Sequence, residues 1–501
     1  MSKPALVPFL FGALLAAASA SSAATYDVGP GQPLASIGAV PWATLGPGDV
    51  VQIHWQAQPY REKWVIDRSG TALAPIVVRG VLGPSGERPV VSGDGATTPP
   101  PLDFWGEERG VIKIGGSNVP DDSLPSWIVV ENLDVRSAYQ GYSFSNDQGA
   151  QQGYAQNAAA IYVEKAQHLV IRNCIIADSG NGLFVGAFDG ETQAISVVDS
   201  DLYGNGIVGG IYEHNNYSEA LGILFEGNRF GPLRAGADGN NLKDRSAGLI
   251  VRYNWIEGGN RELDLVDAED SQALVDDPSY GQDFVYGNVL IEPDGADNSQ
   301  IAHYGGDSGD PTIYRRGPLR FFSNTVVSSR SGNTTLLRLS SPDVAADVFD
   351  NILYVTGSGD LLAMLDADGT LALHHNWLKP GWAGSHGGLT GAIDDDGTNV
   401  LASAPGFVDE GSQDYHLQAS SGAIDAGETP TVGASPVREY WKHQRTTARP
   451  VVGPLDIGAY EYCPQPCLEP GAGAACIAAL AALAARAGSS KEADRRPADA
   501  Q

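Results

Sequence analysis

The feature that most constrains the fold is a recurring phrase: an apolar residue, two of any kind, an asparagine, one of any kind, an apolar residue. It reads "VVENLDV", "VIRNCII", "LFEGNRF", "IVRYNWI", "FVYGNVL", "RFFSNTV", "DVFDNIL" and "ALHHNWL". The asparagines are Asn132, Asn173, Asn228, Asn254, Asn288, Asn324, Asn351 and Asn376. Ser200 in "VVDSDLY" fills a gap, and successive spacings run from 25 to 41 residues. A period of that size, carried by short alternating runs, denotes a solenoid. Asparagine suits a bend between strands because it tolerates the left-handed backbone conformation. Stacked on its copies, its amide can also hydrogen-bond along the axis. Propeller blades need about 40–50 residues and four antiparallel strands, which fits less well. The expected fold is therefore all-β: a single-stranded, right-handed parallel β-helix with capping segments and a C-terminal tail.

Longer spacings become excursions from the coils, at Ser137–Asn157, Ala273–Gln282 and Gly305–Gly317. Such excursions wall a groove on one face. Tyr142 and Tyr154 in the first are candidates to stack on sugar rings, or equally to pack the loop onto its coil. Five stretches follow: 1–23 a secretory signal, 24–130 an N-terminal cap and first coils, 131–400 the repeats, 401–462 a closing module, and 463–501 a tail. The signal rests on Lys3, the apolar run Leu6–Ala18 and the small residues after it. It predicts a bacterial protein secreted or held at the cell surface or in the periplasm. The tail, "CLEPGAGAACIAALAALAARAGSS", weakly resembles C-terminal sorting signals of bacterial surface proteins, implying anchoring at the membrane or cell surface. Its apolar run is shorter than the ~20 residues of a spanning helix. Cys463 and Cys467 in "CPQPC" suit a local disulfide, and Cys174 a buried small hydrophobe. A monomer is expected. Acidic residues outnumber basic ones 60 to 31, a net charge of −29 that disfavours nucleic acid as a partner.

Against that acidity, Lys243 and Arg245 stand two residues apart. Counted from the ladder, Glu213, His214, Lys243, Asp264, Asp267, His303 and Arg338 fall 10–15 residues on, in consecutive coils. Coils stack about 4.8 Å apart, so these side chains are expected in one column. Alternation in "NLKDR", "ELDLVD" and "LLRLS" turns the leucines inward and Lys243, Arg245, Glu262, Asp264 and Arg338 outward. Coupled ionisable groups in a groove point to a reaction centre. His374-His375, directly before a ladder asparagine, reads as a turn feature rather than a metal pair.

The strand "NNLKDRS" resembles that of the β-helical polysaccharide lyases that include chondroitinase B and alginate lyases. The resemblance implies Lys243 as the base that removes the proton at C5 of a uronic acid, and Ca²⁺ as neutraliser of the carboxylate. The family's arginine one coil later has no match, so Arg245 or Arg261 would take its place. Oxygen ligands for Ca²⁺ are available in Asp267, Glu269 and Asp270. The expected function is β-elimination on a uronate-containing polysaccharide. Two alternatives stay open. One is a glycoside hydrolase using Glu262 and Asp264, about 6.5–7 Å apart by strand rise. The other is a surface protein that binds glycan without cutting it.

Overall fold

The computed structural model describes residues 23–464, except Asp297 and Val432. Nearly all of the stretch expected to be a signal, and of the tail, lies outside the described residues. Three long parallel sheets of thirteen, eleven and ten strands account for the architecture. One coil shows how each is fed. Ala247–Arg252 lies in the first sheet, the chain bends at Asn254, Trp255–Glu257 joins the second, and Leu263–Leu265 the third. An excursion then returns it to the first sheet at Phe284–Tyr286. Repetition of this path makes a parallel β-helix, as the repeat predicts.

The ladder is continuous from Ser200 through Asn376. The amide oxygen of Asn288 accepts from Asn254 twice, from the backbone N–H at 2.9 Å and from the side-chain Nδ2 at 3.0 Å. Asn288 donates in the same manner to Asn324, Asn324 to Asn351, and Asn351 to Asn376. These asparagines are buried, so every bond satisfies a polar group that water cannot reach. Positive φ falls on the residue before the ladder position, as at Tyr253, Ser323, Asp350 and His375, and Asn132 and Asn173 occupy that preceding place too: the register puts Leu133 and Cys174, not these asparagines, in line with Ser200 and Asn228, one residue from the sequence expectation. The interior is filled by inward leucines, isoleucines, valines and phenylalanines from all three sheets.

Two features differ from the sequence expectation. The segment after residue 401 does not simply close the end of the stack. Phe407, Tyr415, Leu417, Tyr440, Ile457 and Tyr460 pack along the second sheet, on Trp255, Val289, Ile352 and Trp377. Those residues form outward columns in the sheet register. The outer face of the second sheet is thus apolar and needs cover, which the strict inward/outward alternation of a lone solenoid does not anticipate. Tyr154 is the second difference. It is buried, tilted against Phe144 with the Lys63 ammonium over its ring, and its hydroxyl donates to Gly93 O. It packs the loop onto the coil and has no face left for a sugar. Cys174 is a free, buried thiol, and Cys463 is disulfide-bonded.

Candidate functional site

Strand register in the third sheet sets Tyr217, Lys243, Asp264, His303 and Arg338 directly opposite one another in successive coils. The three central members of this outward column touch. Lys243 Nζ lies 2.8 Å from Asp264 Oδ2, and Asp264 Oδ1 lies 2.8 Å from His303 Nδ1. His303 Nε2 meets Ser340 Oγ at 2.7 Å. Asn240 also donates to Asp264 Oδ2, and its own backbone N–H is held by His214 Nδ1.

Asp264–His303–Ser340 has the order of an acid–base relay ending on a hydroxyl. Ser340 Oγ, however, also accepts from Gly306 N–H and lies within bonding distance of Tyr304 O. A hydroxyl so engaged anchors the imidazole and is not poised as a nucleophile. Burial lowers the His303 pKa, despite the opposing carboxylate of Asp264. Burial would raise the Asp264 carboxyl. The hydrogen bond from His303 and the charge of Lys243 outweigh burial and hold it well below the usual carboxylate range. His214 is pushed down to about 3, first by burial and then by Lys243.

The excursion at 305–317 completes the site. Its Asp307 carboxylate bridges the two basic residues, Oδ2 at 2.6 Å from Lys243 Nζ and Oδ1 at 2.8 Å from Arg245 Nη2. Arg245 Nη2 also lies 2.9 Å from Glu269 Oε1. Asp307 is partly solvent-exposed, whereas Lys243 and Arg245 are buried. The loop is tied down by Arg315, wholly buried between Asp244 Oδ1 and Asp283 Oδ2 at 3.1 Å each. On the far side of Lys243 the column continues as Tyr217, Phe184 and Tyr162, stacked with centroids 5.3 and 4.5 Å apart. Glu219, next to Tyr217 and accepting from its hydroxyl at 2.9 Å, is pushed up to about 7 by burial.

Not every expected residue belongs here. Glu262 is wholly buried, its carboxyl against that of Glu292, and burial with that neighbour raises it well above the usual range. It therefore makes no hydrolase pair with Asp264. The strand begins only at Leu263, so strict alternation does not extend to Glu262. Glu213 is buried one turn before its strand, and the column position of that coil belongs to Tyr217. Arg261 donates to Gln300 Oε1 and lies 3.8 Å from Asp264, at the edge of the site. Arg338 is the exposed end of the column. Tyr142 sits elsewhere, bonded to Asp178.

The three acids named for Ca²⁺ do not converge. Asp267 accepts from the backbone of Asp307, Glu269 pairs with Arg245, and Asp270 is exposed. The carboxylates that do converge, Asp264 and Asp307, already share the ammonium of Lys243. The donor set does not fit an oxygen cage.

Tyr217, Asp307, Asn240 and Ser340 escape the sequence reading. Counting from the ladder misses Tyr217, because the preceding loop is longer than in the next coil. Asp307 lies in the excursion "GGDSGD", whose length alone marks it as a wall.

No family model matches the chain, and no curated protein matches it. Solved structures do. Pectate lyase Pel9A is 14% identical with a TM-score of 0.49, over 88% of this chain and 97% of that one. An alginate lyase from Paenibacillus sp. str. FPU-7 is 13% identical with a TM-score of 0.42, over 70% and 93%. A GH136 lacto-N-biosidase from Eubacterium ramulus is 13% identical with a TM-score of 0.42, over 76% and 68%. At these values no reaction or substrate follows from them, and activity rests on the residues of this chain.

Proposed function

We propose that this chain cleaves a carboxylate-bearing polysaccharide by β-elimination, with Lys243 as base and Arg245 as holder of the substrate carboxylate. One observation carries the reading: the Lys243–Arg245 pair already grips a carboxylate, that of Asp307, one oxygen on each basic group. A uronate entering the groove would displace Asp307 and set its carboxylate on Arg245. Its carboxylate would then be neutralised by the guanidinium, which acidifies the neighbouring C–H. Displacement of Asp307 also removes one of the two carboxylates bonded to Lys243 Nζ. The lysine, as the free amine, takes the proton from the carbon beside the carboxylate. The electron pair left behind forms a carbon–carbon double bond, the glycosidic C–O bond at the next carbon breaks, and the departing oxygen takes a proton from water. Asp264, held by His303 and Asn240, positions Lys243. The stacked column Tyr162–Phe184–Tyr217 continues along the same face, where a sugar chain would run. Export, as expected of residues 1–23, would bring the enzyme to such a glycan outside the cell.

Hydrolysis is the second reading, favoured by Glu219. A carboxyl titrating near 7 beside ionised neighbours is the disposition of a general acid.

The deciding experiment supplies the purified chain with uronate and neutral polysaccharides, with added Ca²⁺ and with chelator. Ultraviolet absorbance of unsaturated uronate ends is followed beside reducing-end release. Elimination raises both together, and Lys243→Ala lowers the rate by about 10²–10⁴-fold. Reducing ends without absorbance would overturn the proposal in favour of hydrolysis. Binding with no product in either assay would leave a glycan-binding protein.

A further inference from the structure

Far from the Lys243 column, at the last turns of the ladder, two adjacent histidines meet two carboxylates. Neighbouring residues of an extended strand point to opposite faces. His375, however, sits at φ 51°, and this left-handed turn brings its ring beside that of His374, centroids 5.8 Å apart. One ligand atom from each of His374, His375 and Asp396 lies within 4.8 Å of the other two. Glu428 approaches from the C-terminal segment. Its Oε1 is 3.1 Å from His374 Nδ1 and its Oε2 3.7 Å from His375 Nδ1.

The placement of donor atoms is what suits a ligand. His374 Nε2 lies 2.9 Å from Asp347 Oδ1, and a carboxylate there accepts, so Nε2 carries the hydrogen. Nδ1 then points at Glu428 Oε1. Asp347 is itself paired with Arg320, which fixes its orientation. A carboxylate behind the far nitrogen is the arrangement that orients metal-ligating imidazoles. Metal–ligand bonds of about 2.0–2.1 Å in a tetrahedron set neighbouring ligand atoms about 3.3 Å apart, which matches the spacing of Glu428 from the two rings.

We propose that His374, His375, Asp396 and Glu428 bind a divalent transition-metal ion, zinc by its donor set of two imidazoles and two carboxylates. The ion joins three separate parts of the chain: the turn after Thr370–His374, the following coil at Asp396, and the C-terminal segment at Glu428. Its role is to pin that segment against the end of the helix.

The test uses the tag-free full chain, stripped with chelator and titrated with zinc chloride alone. Calorimetry and metal analysis after gel filtration are expected to give one tightly held zinc per chain, with a rise in thermal midpoint. Cobalt(II) in place of zinc is expected to give visible absorption bands of a four-coordinate nitrogen–oxygen site, a readout independent of stability. His375→Ala and Glu428→Gln alter partly exposed side chains and should fold while losing the bands. Asp347→Ala, which removes the group behind His374, should weaken zinc binding 10- to 100-fold. Failure of the wild type to retain zinc, or retention with unchanged affinity by both ligand variants, would overturn the proposal.

Discussion

At the scale of single residues, the site is governed by which carboxylate faces Lys243 and Arg245. Asp264 and Asp307 both bond Lys243 Nζ, yet they differ in freedom. Asp264 is buried on a strand and held by His303 and Asn240, while Asp307 is partly exposed on a loop. Only the second can leave without unmaking the column. A uronate must compete with it, so the measured affinity is reduced by the fraction of molecules in which the loop carboxylate is away. Asp307→Asn removes the competing charge and keeps the shape. The expected result is a KM for acidic oligosaccharides lowered by roughly 3- to 10-fold with kcat little changed. A fall in kcat at unaltered KM would instead give Asp307 a part in the chemistry and end its role as a stand-in. Neutral oligosaccharides serve as the control, since they gain nothing from an emptied carboxylate clamp.

At the scale of elements, the ladder asparagine is the device that turns sequence into coil. Asn288 accepts two bonds from Asn254, and its Nδ2 donates to Asn324 and to the backbone oxygens of Val251 and Tyr286. In Asn288→Ala, the buried backbone N–H of Asn254 loses its acceptor, while its side-chain nitrogen keeps Phe225 O and Arg252 O. For one buried group left unpaired, a loss of about 1–3 kcal/mol is expected. Urea unfolding should show it, with faster amide exchange at Asn254. A shift of the unfolding midpoint within error would mean that the amides find other partners. The same periodicity explains how much could be read in advance. The repeat determines the coil, and with it the column Lys243, Asp264, His303 and Arg338, because strands in register inherit their positions from the asparagines. Loop geometry has no such ruler. Asp307 and Ser340 reach the site through the excursion and the strand end, and Glu262 lies just outside the strand whose alternation it was expected to follow. Tyr154 and the apolar outer columns fail for a related reason: side chains covered by a later segment cannot be told from solvent-facing ones by alternation alone.

At the scale of the whole molecule, the C-terminal segment is an arm laid along the second sheet, and its docking contains acids that hold their protons to higher pH than free carboxyls. Asp199, beside Gly227 and facing Glu226, Arg172, Arg438 and Arg445, is pushed up to about 7, chiefly by burial. Glu439, facing Glu461, Arg449 and His416, is pushed up to about 7 for the same reason. The backbone oxygen of Asp199 accepts from Gln444, and Glu439 Oε1 accepts from Glu461 N–H, so both acids stand at contacts made by the arm. The sign follows from linkage. Each folded-state pKa is above the unfolded value, so the folded protein keeps a proton that the unfolded chain releases above about pH 4. The stabilisation is full below that pH and is lost as the pH rises through about 7, at up to ~1.4 kcal/mol per pH unit for each retained proton. A net charge of −29 adds repulsion in the same direction. Limited proteolysis and amide exchange between pH 5.5 and 8.5 should therefore show the region 436–462 loosening at the alkaline end while the coils stay protected. Glu439→Gln keeps the neutral form at every pH and should flatten that dependence. Uniform loosening of coils and arm together, or no change with Glu439→Gln, would place the sensitivity elsewhere. Because the arm covers Trp255 and Trp377, its release would also raise their solvent exposure, which fluorescence reports independently of any cleavage.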